Sequence, residues 1–404
     1  MNKHQRVNEI RLNLLKNKKV YVNDLSISLS VSDRTIRRDL RELVESGIAE
    51  LFFGGAKLIE INQRESFKNA GINKIMSTLS IKNKGDGFAL DGVQKKLTND
   101  VYILGSFNID IVSEVKSFPK VGETIHSLST NFYAGGKGSN QATAAAKVSN
   151  NVHFTVKIGD DEFGEKAKNY LASTEIDSFT ILEDNNHPTG NAVIIVEKDS
   201  GENVITIDLG ANLKINKEEL TNEFSLINDS NVFLTQLENN FEVTKLAIEY
   251  ASRSPALVML NPAPYSEDVK QIIHLVDIVT PNETEAESLT GIEIIDLDSA
   301  KIAAEKIYSM GVKTVILTLG SKGSLLFDGE KHHFFETFKA VVTDTSGAGD
   351  SFNGSLAANI AQGKSLEYSM KYASAFASLA VERKGASNMP DDSVVVARLK
   401  DGSK

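Results

Sequence analysis

DTSGAGDSFNG, residues Asp344–Gly354, is the stretch of the chain that says most about its fold and chemistry. Its small residues predict a turn that runs into a helix. The N–H groups of Gly347, Ala348 and Gly349 can then form a hole for an anion such as a transferring phosphate. Asp350, at the start of this helix, is placed to take a proton from an acceptor hydroxyl. A bare Gly-x-Gly-Asp would be a capping turn, but the full motif predicts a phosphoryl-transfer site.

The chain around this motif, from Val101 to the C-terminus, alternates short β-rich apolar runs with helical patterns. Strands are predicted at Val101–Leu104, Val152–Val156, Val232–Leu234, Ala256–Leu260, Val276–Val279 and Thr314–Leu319. Such alternation predicts an α/β fold with a mostly parallel central sheet covered by helices on both faces. Two stretches, Ile109–Ser129 and Gly190–Asp208, alternate instead like exposed strands. We therefore expect them to form a small β lid over the ligand edge of the sheet.

Two polar segments near the predicted lid have the chemistry to bind a polyol. Asn108 and Asp110 follow the first strand two residues apart, so they can grip adjacent hydroxyls, although a plain turn is the alternative. The segment Gly135–Asn140, GGKGSN, leads into a helix whose free N–H groups suit a ligand. It is not a P-loop, because Gly138 occupies the position of the required Ser or Thr.

A third polar segment, Thr280–Glu285, follows a predicted strand and opens a helix. Its carboxylates can complement the helix dipole. Alternatively, Glu285 can organise the water ligands of a Mg²⁺ ion near phosphates. The sequence leaves both interpretations open.

The composition excludes several classes of protein. With 404 residues, 41% hydrophobic and 24% charged, the chain predicts two or three globular domains rather than disorder. No apolar run is long enough to cross a bilayer, and Met1–Val22 has no apolar leader core. We therefore expect a cytoplasmic protein without a membrane partner. The lack of cysteine excludes disulfides, thiolate metal sites and cysteine nucleophiles.

The N-terminal part of the chain differs from the rest in charge. Residues 1–60 carry 11 Lys and Arg against 8 Asp and Glu, whereas the remainder carries 33 against 46. A basic head on an acidic body indicates that only the head meets a polyanion. We expect a head domain over residues 1–60, a polar linker over 61–99 and a body over 100–404.

Apolar residues at helical spacing predict three short helices in the head. These residues are Val7, Ile10, Leu14 and Leu15 in the first helix, Leu25 and Leu29 in the second, and Ile36, Leu40, Leu43 and Val44 in the third. Ser32 takes the N-cap position of the third helix, and Gly47 ends it. Ile48–Phe53 and Ala56–Ile61 then predict a two-stranded hairpin.

The third helix of the head has the pattern of a DNA-reading helix. Arg34, Thr35, Arg37 and Arg38 lie in its N-terminal half, where a helix in the major groove meets base edges and phosphates. An ordinary solvated helix with arginine–carboxylate pairs is the alternative. The head resembles the DeoR-type winged helix-turn-helix, which implies binding to a double-stranded DNA operator and regulation of transcription. This resemblance rests on Arg6, Ile10, Leu14, Ser32, Thr35–Leu40 and Phe53–Ala56.

The body resembles the ribokinase (PfkB-type) family of carbohydrate kinases over about residues 100–395. Besides Asp344–Gly354, the matches are Asn108, Asp110, Gly135–Asn140, Gln236–Glu238, Asn261–Pro264, Thr280–Glu285, Thr318–Gly323 and Arg383–Ala386. The resemblance implies a ribokinase-like sandwich that phosphorylates a sugar with ATP. It also implies Mg²⁺ with the ATP, K⁺ as an activating cation, and a homodimer.

The same resemblance gives roles to individual residues. By it, the sugar is held by Asn108, Asp110, Gly136, Lys137, Asn140, Glu238 and Asp350. ATP is held by Asn282, Thr318, Leu319, Gly320, Ser321, Lys322, Gly323, Gly349, Asp350 and Ser374. A monovalent-cation site is formed, largely through backbone oxygens, by Asp344, Ser346, Ala380, Arg383, Gly385 and Asn388.

Two positions depart from the family pattern. Ser374 stands where the family often has an Asn that contacts ATP. The segment after Gly385 is one residue short, which makes Asn388 the candidate for the last cation ligand.

The sugar-binding set is intact, which favours ribose over fructose or a nucleoside and makes D-ribose 5-phosphate the expected product. One hypothesis is a bifunctional kinase and transcription regulator. A second is a pure regulator whose body only senses ribose or ribose 5-phosphate, and a third is an enzyme whose head binds only a partner protein, against which Thr35–Leu40 argues. A kinase for a related sugar such as deoxyribose is a further alternative. The intact Asp350 favours an active enzyme, because a protein that had lost its kinase activity would not need to keep the catalytic base.

Overall fold

The computed structural model describes residues 6, 10, 13–14, 19–45, 49–52, 54–58 and 99–401. The expected linker over 61–99 lies outside these residues, except that Asn99 already belongs to a strand. The expectations for Val7, Leu15 and Gly47, and for the ends of the hairpin, also fall outside them. No helix among the described residues is both long and apolar enough to cross a membrane.

The described part of the head contains two helices and a small sheet. The helices are Val22–Ser28 (α1) and Asp33–Glu45 (α2), and the strands are Lys19–Tyr21 (β1), Ala49–Phe52 (β2) and Gly55–Leu58 (β3). The predicted hairpin of β2 and β3 is confirmed. It gains a third antiparallel strand, β1, which lies beside β3 and is too short to show a pattern of its own.

The amino-terminal end of α2 is capped as the sequence predicts. Ser32 precedes the helix, and its Oγ accepts from the N–H of Thr35 at 3.3 Å. Behind this helix, the apolar residues from the predicted stripes are buried, namely Ile10, Leu14, Leu25, Ile36, Leu40 and Leu43. Helical spacing therefore predicts much of the described head core, while Leu29 is only half-buried and Val20, Val22, Ala49 and Ala56 join the core without having been predicted.

The body is built on a nine-stranded sheet. Its strands are Asn99–Leu104 (β4), Val152–Gly159 (β7), Ser178–Asp184 (β8), Ser230–Thr235 (β11), Leu257–Leu260 (β12), Ile278–Val279 (β13), Thr314–Thr318 (β14), Ser324–Phe327 (β15) and His332–Phe335 (β16). Their order is β16-β15-β14-β13-β12-β11-β4-β7-β8. From β14 to β8 every pair is parallel, and only β15 and β16 are antiparallel. The predicted mostly parallel sheet is confirmed.

Helices cover both faces of this sheet. On one face lie Lys217–Asn228 (α5), Phe241–Ala251 (α6), Glu283–Thr290 (α7) and Leu297–Tyr308 (α8). On the other lie Lys137–Ala146 (α3), Glu162–Ser173 (α4), Ala348–Ala361 (α9) and Leu366–Ala380 (α10), with Asp392–Asp401 (α11) packed on α10. Alternate residues of one strand serve the two cores: Tyr102 and Leu104 face the first set of helices, and Val101 and Ile103 the second.

A second, four-stranded sheet forms the predicted lid. Its strands are Asn108–Val115 (β5), Ser129–Gly135 (β6), Gly190–Glu197 (β9) and Asn203–Asp208 (β10), in the order β10-β9-β5-β6. The expectation for Gly190–Asp208 is confirmed, whereas Ile109–Ser129 forms only one strand, which ends at Val115. Turn residues with Pro119 and Gly122 follow it, and the partner strand begins only at Ser129.

Candidate functional site

The candidate site is a cleft at the carboxyl edge of the parallel strands, where the amino-terminal ends of α3, α7 and α9 meet. Its volume is about 170 Å³, smaller than the ~300–1,000 Å³ of typical ligand pockets, which fits a reaction centre between two substrates. The lining residues are Lys137, Asn261, Ala263, Thr280, Asn282, Glu285, Thr318, Thr345, Gly347, Ala348, Gly349, Asp350 and Asn353. Eight of these residues are among those predicted from the sequence.

Asp350 lies in the first turn of α9 and is 7% exposed. Its two carboxylate oxygens have different partners on α3. Oδ2 accepts from Nδ2 of Asn140, and Oδ1 accepts from Nε2 of Gln141, both at 3.0 Å. The structure thus joins Asp350 to Asn140, as expected for a shared sugar site, and adds Gln141, which the sequence did not indicate.

Glu238 lies on the other side of Lys137, buried in the loop after β11. Its carboxylate accepts from Oγ of Ser106 and from the backbone N–H of Lys137, the latter at 3.1 Å. Burial raises the pKa of Glu238, while the positive charge of Lys137 opposes the rise. Ser106 fixes one Glu238 oxygen, which leaves the other for a ligand hydroxyl.

Asp110 lies on lid strand β5 and faces the same group of acids. Burial, together with the nearby negative charges of Glu238, Asp350 and Asp344, raises the pKa of its carboxyl to about 7. A carboxyl with this pKa changes charge near neutral pH. Hydroxyl donors from a polyol would stabilise its ionised form.

Lys137 is the cation at the centre of these acids. Burial lowers the pKa of its amino group, but the carboxylates of Asp350, Glu238 and Glu285 outweigh burial and raise it overall. The ammonium group therefore stays charged. It offers a positive charge between the sugar side and the phosphate side of the cleft.

Asn108 is held at the base of the lid by a residue that the sequence did not indicate. Nδ2 of Asn212 donates to Oδ1 of Asn108 and to the carbonyl of Phe107, both at 3.0 Å, and its Oδ1 accepts from the N–H of Phe107. Asn212 thereby fixes both the side chain of Asn108 and the backbone that carries it. The free Nδ2 of Asn108 can then meet a sugar hydroxyl.

The nucleotide side of the cleft begins where β13 and β14 end. Asn282, in the loop after β13, pairs with Thr318, the last residue of β14, in an isolated β-bridge, and both residues line the cleft. Glu285 closes a capping box with Asn282: Oε2 accepts from the N–H of Asn282 at 2.9 Å, and the N–H of Glu285 donates to Oδ1 of Asn282 at 2.8 Å. Glu285 is thus part of the helix N-cap, a role that the sequence analysis did not assign to it, and both the dipole and the magnesium interpretations stay open.

The remaining residues expected to bind ATP lie farther out. Leu319–Gly323 form a tight turn after β14, closed by the N–H of Leu319 on the carbonyl of Gly323 at 2.8 Å. Nζ of Lys322 in this turn donates to Glu283 at 3.0 Å. Ser374 lies on α10, where its Oγ donates to the carbonyl of Glu336 at 3.4 Å, and it does not line the cleft.

The predicted anion hole is the turn that begins α9. Gly347 has φ of 71°, a left-handed conformation that favours glycine. The N–H of Ala348 donates weakly to the carbonyl of Thr345 at 3.2 Å, so an arriving phosphate would have to replace this bond. Gly349 and Ala348 both line the cleft beside Asp350, which fits an oxyanion site next to the base.

The expected cation-site residues come together behind this turn. Oδ1 of Asp344 accepts from the N–H of Ser346 at 2.9 Å, and Oδ2 accepts from the N–H of Gly385 at 3.0 Å. Asp344 therefore holds the loop after α10 against the start of the anion-hole turn. The carbonyls of Ala380 and Gly385 each accept one backbone bond, from Arg383 and Asn388 respectively, which leaves each oxygen a second lone pair.

The expected DNA contacts lie on α2. Arg34, Arg37 and Arg38 are exposed, and Arg41 extends the same surface by one turn. Thr35 is half-buried, and its hydroxyl lies 3.0 Å from that of Ser32. On the inner side of α2, Asp39 is buried and forms an ion pair with Arg6, which is buried as well, so the pair fixes Arg6 against α2.

Several residues of the site were not assigned a role from the sequence. Asn261 and Thr280 follow β12 and β13, and Asn353 lies one turn beyond Asp350. Oγ1 of Thr280 donates to Oδ1 of Asn353 at 2.5 Å, and Nδ2 of Asn353 donates to the carbonyl of Gly349 at 2.9 Å. The signal of Asn261 and Thr280 was their position, because polar residues directly after parallel strands collect at one edge. Asn353 lies on α9 and had only its place in the Asp344–Gly354 motif as a signal.

Comparison with known proteins finds a family match in the head and another in the body. Residues 98–393 match the pfkB family carbohydrate kinase, and residues 6–62 match the DeoR-like helix-turn-helix domain. The ribokinase of Haemophilus influenzae is 38% identical over 284 residues, which are 70% of this chain and 92% of that protein. The deoxyribokinase of Salmonella typhi is 32% identical, over 71% of this chain and 94% of that protein.

A solved structure agrees in fold. Arabidopsis thaliana ribokinase, complexed with ribose and ATP, has a TM-score of 0.68 and 34% identity, and covers 74% of this chain and 98% of its own. The family match extends over most of the chain, and the relatives are matched over most of their own length. The chain therefore belongs to the pfkB family of carbohydrate kinases, with a DeoR-like helix-turn-helix domain at its amino-terminal end.

Proposed function

We propose that the body transfers the γ-phosphate of ATP to the 5-hydroxyl of D-ribose. The observation that carries this proposal is the convergence of the sugar-binding set on Asp350, described above. Asn140 donates a hydrogen bond to Asp350. The ammonium group of Lys137 interacts electrostatically with Asp350 and Glu238, and so does the carboxyl group of Asp110. Amide, ammonium and carboxylate groups around one cleft are the donors and acceptors that a polyol requires.

In the proposed reaction Asp350 takes the proton of the sugar hydroxyl, whose oxygen then attacks the γ-phosphorus. The first turn of α9 faces the developing charge on the phosphate oxygens, and Lys137 adds its positive charge. Asn282, Thr318, the turn Leu319–Gly323 and Ser374 form the surface on which we place ATP.

Two ions accompany this proposal. Among the described residues no group of three or more acidic or histidine side chains forms a metal cage. This fits a Mg²⁺ held mainly by ATP and water, with Glu285 as an indirect partner. The oxygen-rich loops joined by Asp344 suit K⁺, which would brace the anion-hole turn, with Ser346, Ala380, Arg383, Gly385 and Asn388 as candidate ligands.

A panel of substrates tests which sugar the protein phosphorylates. Relatives of similar identity carry the names ribokinase and deoxyribokinase, so the 2-hydroxyl is the group in question. A coupled assay of ADP release with ribose, deoxyribose, fructose and adenosine should give the highest kcat/KM with ribose. A higher value with deoxyribose would move the proposal to that sugar, and no turnover with any of them would favour the sensor hypothesis.

We further propose that the head binds double-stranded DNA and makes the protein a transcription regulator. Four exposed arginines on α2, Arg34, Arg37, Arg38 and Arg41, and the match to the DeoR-like domain support this. A single helix-turn-helix reads one half-site, so we propose a homodimer on a repeated operator. We also propose a cytoplasmic location, where ATP and DNA would both be available to the protein.

The kinase body follows the DNA-binding head in the chain. A DeoR-type regulator has its ligand-sensing domain at this position. We therefore propose that ribose or ribose 5-phosphate changes operator affinity, by roughly 5- to 150-fold if the coupling has the usual size. DNA affinity for the upstream region is measured at fixed salt with and without each ligand and ATP. Equal affinities in all states would show that the two functions only share a chain.

A further inference from the structure

Gln141 lies at the crossing of α3 and α9, next to Asp350. It has no exposed surface. The two helices approach closely here because α9 has Gly354 opposite: a Cβ at this position would overlap the backbone carbonyl of Gln141. The close crossing brings the side chain of Gln141 within hydrogen-bond distance of Asp350.

Each polar atom of the Gln141 side chain is committed. Nε2 donates to Oδ1 of Asp350 at 3.0 Å and to Oδ1 of Asn261 at 3.2 Å, while Oε1 accepts from Nε2 of Gln236 at 2.6 Å. A carboxylate can only accept, so the amide nitrogen must face Asp350 and the amide oxygen must face Gln236. The bond from Gln236 therefore fixes which way the Gln141 amide points.

This arrangement anchors Asp350 to the central sheet. Gln236 follows β11 and Asn261 follows β12, and Nδ2 of Asn261 donates to the carbonyl of Thr280, which follows β13, at 3.2 Å. Hydrogen bonds thus connect the ends of three adjacent strands through Gln141 to one oxygen of Asp350. These buried amides are joined to one another by direct hydrogen bonds, which restricts their motion, and of their polar atoms only Oε1 of Gln236 has no hydrogen-bond partner.

The other oxygen of Asp350 has a different kind of partner. Oδ2 accepts from Asn140, whose own Oδ1 is buried without a hydrogen-bond partner. A buried acceptor left unpaired is costly, and a sugar hydroxyl would satisfy it. The bond from Asn140 can thus be exchanged when the sugar arrives, whereas both donors of Gln141 remain occupied.

We propose that Gln141 is a positioning residue, which holds Oδ1 of Asp350 so that Oδ2 alone takes the proton of the sugar hydroxyl. This inference rests on the proposed role of Asp350 as the base. In the step, the hydroxyl proton moves to Oδ2 and the sugar oxygen forms a bond to the γ-phosphorus. The bond between that phosphorus and the β,γ-bridging oxygen breaks, and ADP leaves with the electron pair.

The test replaces Gln141 by methionine, which keeps the length of the side chain and removes its donors. With the sugar of highest turnover in the panel, kcat and the single-turnover rate of Gln141→Met should fall about 10- to 100-fold, the scale of one charge-assisted hydrogen bond. The KM values for sugar and ATP should stay within about twofold, because the lost bond acts on the base and not on binding.

Thr143→Val is the matched control. Thr143 lies two residues along the same helix and is also buried, and its Oγ1 donates to the carbonyl of Ser139 at 2.8 Å without contacting Asp350. This variant loses a buried hydrogen bond of α3 but should keep normal kcat. An equal loss of kcat in both variants would assign the effect to the stability of the helix and overturn the proposal.

An unchanged kcat in Gln141→Met would also overturn it, as would a raised KM with unchanged kcat. Where Gln141→Met does not fold, Gln236→Met carries the test: the donor to Asp350 remains but loses its orienting partner. Its kcat should fall about 3- to 10-fold with KM retained, and no fall refutes the proposal. Asp350→Ala is measured in parallel, because normal turnover there would refute the base itself and not only its positioning.

Discussion

Replacing Asp110 by asparagine should stabilise the substrate-free protein, and more so as the pH rises. Burial raises the pKa of Asp110 from 3.8 to about 7, with Glu238, Asp350 and Asp344 adding to the rise. Because folding raises the pKa of this carboxyl, its ionisation lowers the stability of the folded state. This loss of stability is absent below pH 3.8, grows as the pH rises, and is complete above about pH 7.

The size of the effect follows from that shift. Each unit of pKa corresponds to about 1.4 kcal/mol, so the full shift sets an upper limit of about 4 kcal/mol above neutral pH. Part of this cost is already present at pH 5, and Asp110 retains some exposure, which screens the neighbouring charges. We therefore expect Asp110→Asn to gain roughly 1–3 kcal/mol over wild type between pH 5 and pH 8, a rise of several degrees in its relative Tm.

The assay is urea unfolding and thermal unfolding of both proteins at pH 5 and pH 8 without sugar or nucleotide. Asp199→Asn, at an exposed turn between the lid strands β9 and β10, is the matched control and should show no such pH dependence. The same Asp110→Asn protein should bind the sugar far more weakly, because the carboxylate that accepts its hydroxyls is gone. A stability difference that is independent of pH, or that falls toward pH 8, would refute the charge argument.

Three other changes test the remaining assignments. Asp350→Ala should lower kcat by on the order of 10²–10⁴ with the fold retained, measured by coupled ADP release and circular dichroism; near-normal kcat would remove Asp350 from the role of base. KCl should activate when titrated against choline chloride at constant ionic strength, and a flat response would mean that the short loop after Gly385 holds no cation. Arg37→Ala should weaken DNA binding without changing sugar kinase turnover, as measured by fluorescence anisotropy at fixed salt; unchanged anisotropy would exclude this face of α2.

Local patterns predicted much of the molecule. The turn before α9, the N-cap at Ser32 and most strands of the parallel sheet follow from a few neighbouring residues, and the structure agrees with them. The antiparallel edge strands β15 and β16 were not predicted from the sequence. Each is only four residues long, too short to show a strand pattern. They are strands because they pair with β14 and with each other.

The residues that support the site could not be predicted from the sequence, for a different reason. Gln141 and Asp350 are 209 positions apart, and Asn212 and Asn108 are 104 apart. Whether such amides meet depends on helix crossings and strand order, which no local pattern contains. The sequence could show which residues have the right chemistry, whereas only the fold shows which of them orient the others.

The four places where the chain crosses between the lid and the main sheet lie close together. The chain enters the lid between β4 and β5, leaves it at Gly136, returns beside Thr189 and leaves again near Gly210, and Asn212 ties two of these crossings together through Phe107 and Asn108. All of these crossings therefore lie close to Asn108, at one end of the lid sheet. An outward rotation of the lid about them would separate Asp110 from Asp350. For a sugar bound between these residues as proposed, opening of the lid and loss of the sugar's contacts would be the same motion.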